Sequence, residues 1–515
     1  MKRRLTSPQA FFSLVLSFAA MSCAGSPKPP DRPVSATTPA ARSAAPEQPA
    51  VPLQGKAAAI DRLLRTYTRL GQFHGAALVA EHGKVIYRQA SGSAILEWGT
   101  PNTLDTKFLI ASVTKPFTAT LVMQLVQEGK LQLEGTLGAY LPELTTTPAA
   151  KVTVHQLLSH TSGLSSPVNG NPDFWPGDGR RSYTVAEFVR AHIKGNLDYD
   201  PGTRWAYNNA GYYLLGVLVE RVTGHDYEQA LRARVLAPSG MTQTGLAREG
   251  AIVPRAAFGY SKELGEIIAA PYVNPSSYYA AGGLYTTVDD LYLWDRALAA
   301  GKLLSPETLR RMATPVLQDY GYGWDIKPWE VGKTGKTLPV MMHSGNVLGF
   351  SSLVVRSTSD DALIVLLDNM SEGDTVPALG HGIFDILHGE TPPEPKQRLA
   401  DVLGPVLRQH DVEAVEREIK RLRREAPDVC DLGERSMNSF GYQLLHRKRV
   451  DAAVRIFQLN VESFPTSGNV HDSLGEAYQV RGDKALAIAS YRRSLELDPT
   501  NTNAEIKLKE LGAPR

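Results

Sequence analysis

The sequence predicts an α/β domain, an antiparallel sheet with packed helices and an all-helical insert, followed by an all-α domain of repeated helix pairs. Three observations predict it. Strand signals cluster at both ends of residues 56–392 while the middle is helical in period, which implies a sheet assembled from distant parts of the chain beside a helical insert. Residues 24–55 and the Pro392-Pro393 step are Pro-rich and divide the chain. Beyond residue 434, four residue types recur at a fixed interval.

Taken in order, Lys2, Arg3 and Arg4 precede an apolar stretch over residues 11–20, and Ser22-Cys23-Ala24-Gly25 follows. A basic head, a short apolar core and small residues at the cut are the layout of a secretory signal over residues 1–23. Cys23 is similar in position to the lipid-bearing cysteine of bacterial lipoproteins, although Ala20 stands where that pattern prefers leucine. Export to the periplasm or cell envelope, with a lipid anchor on Cys23, is the expected location. Residues 24–55, rich in Pro, Ala and Ser without hydrophobic period, read as a disordered linker.

The globular part begins near Gly55. Ile60, Leu63, Leu64, Tyr67 and Leu70 fall at helical spacing, and Gly71 closes that helix. Residues 76–79 and 85–87 flank Glu81-His82-Gly83-Lys84 and read as a β-hairpin. Thr153-x-x-Gln156 and Thr184-x-x-Glu187 are capping boxes that open helices. A longer helix over about 209–222 stops at Gly224, and Thr287 and Ser305-Pro306 open two more. Strand signals return at 320–324, 340–343, 351–355 and 363–367.

After the Pro-rich joint, residues 393–433 form a connecting and capping helical segment. Gly441, Ala453, Phe457 and Pro465 then recur as Gly475, Ala487, Tyr491 and Pro499, a 34-residue period. These types at that interval match the tetratricopeptide repeat over 434–515: small residues let paired helices approach and the aromatic fills the space between them. Such stacks commonly bind another protein, so a protein partner is expected there.

Composition excludes several function classes. Lys and Arg number 55 against 53 Asp and Glu, a net charge of +2, which gives no reason to expect nucleic acid. Two cysteines make no disulfide framework, and His155 and His160, five apart, lack metal-ligand spacing, so neither metal nor cofactor is expected. No apolar run reaches the roughly 18 residues of a spanning helix.

The chemistry centres on Ser112-Val113-Thr114-Lys115-Pro116-Phe117. Proline is tolerated only in the first turn of a helix, so Pro116 places the helix start close to Ser112. A serine there sees unpaired N–H groups that favour a developing oxyanion. Lys115, three residues on, projects over Ser112, and a buried lysine can shed its proton to serve as the base. This is the S-x-x-K arrangement of acyl-transfer enzymes. Tyr207-Asn208-Asn209, just before a helix, supplies a proton shuttle: a tyrosine beside a cationic lysine would have a lowered pKa, and Asn209 can bond both lysine and substrate.

A third element lining the cleft has two candidates. Lys333-Thr334-Gly335 lies in a polar run between strand signals, the composition of an exposed hairpin tip. His343-Ser344-Gly345 ends an apolar strand and continues into two more, which places it on the sheet, where an edge strand would lie against substrate. The second is favoured.

Together, Ser112-x-x-Lys115, Tyr207-x-Asn209 and His343-x-Gly345 resemble the serine β-lactamase and penicillin-binding family, its class C-like branch, over about residues 57–388. His160-Thr161-Ser162-Gly163-Leu164, Pro201-Gly202-Thr203 and Ala281-Gly282-Gly283-Leu284 are similar to connecting phrases of that family. The resemblance implies an α/β sandwich with an all-helical insert and the active site between them. It implies Ser112 as nucleophile, Lys115 and Tyr207 as general base and acid, and Asn209 positioning substrate. His343 and Gly345 would line the carboxylate side, and the N–H groups of Ser112 and Asn346 would form the oxyanion hole. Histidine where classical β-lactamases carry lysine would hold a carboxylate less firmly.

The expected function is an exported serine hydrolase acting through an acyl-enzyme on an amide or ester, with D-alanyl cell-wall peptides the first substrate class to consider. A β-lactamase or carboxylesterase on the same site is the alternative. A non-catalytic envelope scaffold or sensor using the repeats is the alternative of another class, against which intact Ser112 and Lys115 weigh.

Overall fold

A computed structural model describes residues 53–513, save Pro172 and Glu372. The signal, Cys23 and most of the linker lie outside the described residues. The strands that matter here are β1 (Gly75–Glu81), β2 (Lys84–Ser91), β3 (Tyr260–Glu263), β4 (Glu266–Ala269), β5 (Asp325–Glu330), β6 (Thr337–Val347), β7 (Phe350–Ser357), β8 (Ala362–Asp368) and β9 (Met370–Ser371). The helices are α1 (Gly55–Arg69), α2 (Thr114–Gln127), α3 (Asn209–Thr223), α4 (Thr375–Leu387), α5 (Leu399–Gln409), α6 (Glu434–His446), α7 (Val450–Ser463), α8 (Gly468–Arg481) and α9 (Lys484–Leu497).

One sheet in the order β5-β6-β7-β8-β1-β2 organises the domain, and every neighbouring pair in it is antiparallel. It therefore joins the first hairpin of the domain to its last strands, as the split strand signals imply. Alternate side chains of a strand serve opposite faces. Leu363, Val365 and Leu367 of β8 pack toward the helical insert, while Ile364 and Leu366 pack toward α1 and α4. Burial on both sides explains why β8 reads as an unbroken apolar run. Helix α2 is buried from Thr114 to Met123 on every side, so it is a core helix rather than a surface one. Both predicted capping boxes are formed, Thr153 with Gln156 and Thr184 with Glu187, each cap donating and accepting as expected.

One sequence reading needs correction. Residues 320–324 are not a strand: Gly323 takes φ 77° and strand β5 begins only at Asp325. Proximity of Gly323 to Lys115 O, 3.0 Å from where a Cβ would stand, explains the glycine better than a strand does. The hairpin β3–β4 was absent from the expectations because its strands are short and polar on one side. Leu264 and Gly265, at φ 48° and 77°, form its tight turn.

That hairpin joins the domain to the C-terminal helices. Leu264 packs into the C-terminal apolar cluster, its N–H donates to Gln443 Oε1 at 2.8 Å, and its carbonyl accepts from Arg408 at 2.8 Å. Lys262 pairs with Asp401 on α5 at 2.7 Å, both side chains being largely shielded. A Cβ at Gly404 would fall 1.8 Å from Leu264 O, so α5 seats directly on the turn. In the helix pairs α6–α7 and α8–α9, Gly441 lies against the Phe457 ring and Gly475 against the Tyr491 ring, where a Cβ would stand 2.6 and 2.9 Å away.

Removing residues 394–515 should consequently destabilise what remains. Exposing Leu264 alone costs on the order of 1–3 kcal/mol, which should read as a Tm lower by a few degrees. Hydrolysis of a small ester per folded molecule should stay within about threefold of the full chain, because no residue after 393 lines the catalytic cleft. An unchanged Tm would show that this docking contributes nothing.

Candidate active site

Ser112 sits in a 3-10 turn, Ala111–Val113, that runs straight into α2. The turn is held from two sides: Ile110 N donates to Leu284 O at 2.9 Å, and Ser352 Oγ of β7 donates to Ile110 O at 2.8 Å. Ala111 takes φ 45°, a left-handed conformation that an alanine adopts only where its surroundings enforce it. Gly345 explains how the sheet comes so close. A Cβ there would stand 2.2 Å from Ile110 O and 3.0 Å from Ser112 N, so only glycine lets β6 lie against the serine.

Lys115 is fully buried, and its Nζ lies 3.1 Å from Ser112 Oγ, 2.8 Å from Asn209 Oδ1 and 2.8 Å from Ala281 O. Burial pushes its pKa well below that of an ordinary lysine. A neutral amine has two N–H groups and one lone pair. The two carbonyl oxygens can only accept, so they take both N–H groups. The lone pair is left facing Ser112, whose hydroxyl can donate to it. The carbonyl of Ala281 is a contributor that sequence reasoning missed. Its signal was the Ala281-Gly282-Gly283-Leu284 phrase, read only as family resemblance.

Tyr207 lies with its ring centroid 4.6 Å from Lys115 Nζ. Its pKa is raised rather than lowered, against the sequence expectation, because burial outweighs the opposing pull of the Ser112 hydroxyl. The tyrosine hydroxyl is buried, and no hydrogen bond of good geometry reaches it among the described residues.

His343 is the second correction of a site expectation. Strand β6 pairs with β5 only as far as Met342, so residues 343–347 do form a local edge. The His343 ring, however, is buried behind that edge and does not line the cleft. Its Nδ1 is 2.6 Å from Ser344 O, and its Nε2 is 3.0 Å from Tyr320 Oη. The carbonyl must accept, so Nδ1 carries the proton and Nε2 accepts from tyrosine. Burial first, and Lys115 second, lower its pKa to about 3. A neutral ring with both nitrogens committed cannot hold a substrate carboxylate. Lys333 is exposed in the turn between β5 and β6.

The cleft beside Ser112 is a cavity of about 250 Å³. Asn209, Asn346, Ser277 and Ser371 line it, and Val168, Trp175, Tyr278, Val347 and Leu348 form apolar walls. Trp175 and Tyr278 stack with centroids 5.3 Å apart. Asn346 Oδ1 is engaged by Ser351 Oγ at 2.8 Å, which fixes that side chain. No charged side chain lines the cavity among the described residues.

Known proteins share this arrangement of chain. The Beta-lactamase family model matches residues 60–386. Esterase EstB of Burkholderia gladioli is 33% identical over 303 residues, covering 52% of this chain and 76% of the esterase. The structure of a penicillin binding protein from Bacillus halodurans aligns at TM-score 0.53 and 26% identity, covering 63% of this chain and 97% of that one. D-amino acid amidase from Ochrobactrum anthropi SV3 aligns at TM-score 0.54 and 26% identity, covering 64% and 97% respectively.

Proposed function

We propose, for a chain that belongs to the beta-lactamase family and is a serine hydrolase of the β-lactamase/DD-peptidase type, the hydrolysis of uncharged esters or amides through an acyl-enzyme on Ser112. One observation carries the reading: buried Lys115 has its Nζ 2.8 Å from each of two carbonyl oxygens, Asn209 Oδ1 and Ala281 O, and 3.1 Å from Ser112 Oγ. Ser112 gives its proton to Lys115 as Oγ bonds to the substrate carbonyl carbon. The resulting oxyanion sits between the N–H groups of Ser112 and Asn346. Tyr207, which keeps its proton, donates it to the leaving group and is reprotonated from Lys115. Water then attacks the acyl carbon and the same groups run in reverse. Asn209 holds Lys115 in place and reaches the substrate from the cleft wall.

The substrate class follows from charge. D-alanyl peptides and penicillins present a carboxylate, and desolvating it without a cation is costly. With His343 neutral and the cleft walls uncharged among the described residues, D-alanyl peptides, first in line from the sequence, give way to esters and neutral amides. Intact mass after mixing with an aryl ester, a penicillin or a D-alanyl-D-alanine peptide tests this. An acyl adduct should form with the ester and not with the two carboxylates. Adducts with all three would remove the charge argument, and no adduct at all would remove the acyl-enzyme.

Two further assignments rest on sequence pattern. We place the protein outside the cytoplasm with a lipid on Cys23, for which incorporation of labelled fatty acid, lost in Cys23→Ser, is the mark. The helix pairs after residue 434 recruit a protein partner, supported by the 34-residue period and the glycine-to-aromatic seating within each pair.

A further inference from the structure

The phrases His160-Thr161-Ser162-Gly163-Leu164 and Pro201-Gly202-Thr203 take no part in the reaction described above, yet they are paired with each other. Gly202 N donates to Thr161 O at 2.7 Å, Asp198 N to Gly163 O at 2.8 Å, and Ala206 N to His160 O at 2.9 Å. Asn208 Nδ2 donates to Leu164 O at 2.5 Å. The segment 160–164 is thus a backing strip for the loop that ends in Tyr207 and Asn209. Ala206 and Asn208 bond back to the strip, and Tyr207 and Asn209 reach Lys115, with the Tyr207 ring centroid 4.6 Å and Asn209 Oδ1 2.8 Å from Nζ.

One contact in the strip comes from a side chain. Asn208 N donates to His160 Nδ1 at 3.1 Å. An N–H can only donate, so Nδ1 is bare and the ring proton is on Nε2. Nε2 is buried and finds no hydrogen-bond partner among the described residues. Burying an unpaired donor is costly. A leucine would fill the same space without that cost, so volume alone does not account for histidine here. The ring also lies against Tyr207, with centroids 4.4 Å apart, and against Tyr320 at 4.7 Å, the residue that donates to His343. His160 itself takes φ 58°, a left-handed conformation that directs its carbonyl and its ring to the same loop.

We infer that His160 is the positioning residue of the proton shuttle: its Nδ1 and its ring face hold the Tyr207–Asn209 loop against Lys115. The inference rests on the acyl-enzyme reading of Ser112 and adds to it a residue outside the cleft.

The two ring nitrogens can be separated by substitution. In His160→Asn the amide oxygen takes the place of Nδ1 and can still accept from Asn208. In His160→Gln the amide lies where Nε2 was, and in His160→Leu there is no acceptor. With an aryl ester, His160→Asn should keep kcat within about fivefold of wild type. His160→Gln and His160→Leu should lose kcat by about 10-fold to 100-fold with KM nearly unchanged. In a Tyr207→Phe background, His160→Gln should have little further effect, because its loss is expressed through the tyrosine. Equal losses in the Asn and Gln variants, or a Gln effect that multiplies fully with Tyr207→Phe, would overturn the inference and leave His160 a packing residue. Melting curves identify a variant that has not folded, and the Asn and Gln pair then decides the matter alone. Failure of wild type to form any acyl adduct is a separate outcome that removes the reading beneath.

Discussion

Ser112→Ala will form no adduct with an aryl ester or a fluorophosphonate, and its turnover will fall by about four orders of magnitude or more. The size of the loss follows from the geometry. Nothing else in the cleft replaces the hydroxyl that faces the Lys115 lone pair, and the two asparagines and two serines along its walls have no base within the described contacts. The fold should survive. Ser112 makes no side-chain cap to its own helix, and the turn is held instead by Leu284 O and Ser352 Oγ through Ile110. Thermal unfolding should therefore shift by no more than about 2 °C, the size expected of a small change at a helix start. A labelled Ala variant would direct attention to another nucleophile.

Lys115→Met should lose about three orders of magnitude in kcat/KM while filling much the same volume. The wild-type pH profile gives the sign. The amine acts only when neutral, so the rate should fall as pH drops through the lowered pKa of Lys115 and level off above it. His343, neutral down to about 3, adds no step near neutral pH. Tyr207 keeps its proton through the same range because burial raises its pKa. Stability should move the same way. Between the folded and unfolded pKa of Lys115 the unfolded chain binds the extra proton, so the native state gains stability as pH rises through that window. An acid limb that persists in Lys115→Met would assign it to another group.

Much of this could be read before any coordinates, where the signal is local. Ser112 and Lys115 are three residues apart on one helix, so their meeting needs only a helix start, which Pro116 marks. The capping boxes at Thr153 and Thr184 are equally local, as is the 34-residue period of glycine, alanine and aromatic residues. The alternation and position of the strand signals sufficed for an antiparallel sheet drawn from both ends of the domain. The order of motifs along the chain placed Tyr207 and Asn209 near the serine.

What the chain order could not supply was the surroundings of each group. The direction of the Tyr207 pKa was misread from sequence because it depends on how deeply the phenol itself is buried. His343 was given a substrate to hold, yet Tyr320, 23 residues earlier, and the carbonyl of Ser344 occupy both its nitrogens. The hairpin at 260–269 carries too few alternating residues to stand out, and it forms where α5 and α6 grip its turn. Order along the chain marks which residues can do chemistry and which neighbours within a turn or two they meet. Their protonation is set by the fold, because desolvation and hydrogen bonding across 23, 94 or 166 residues set those energies.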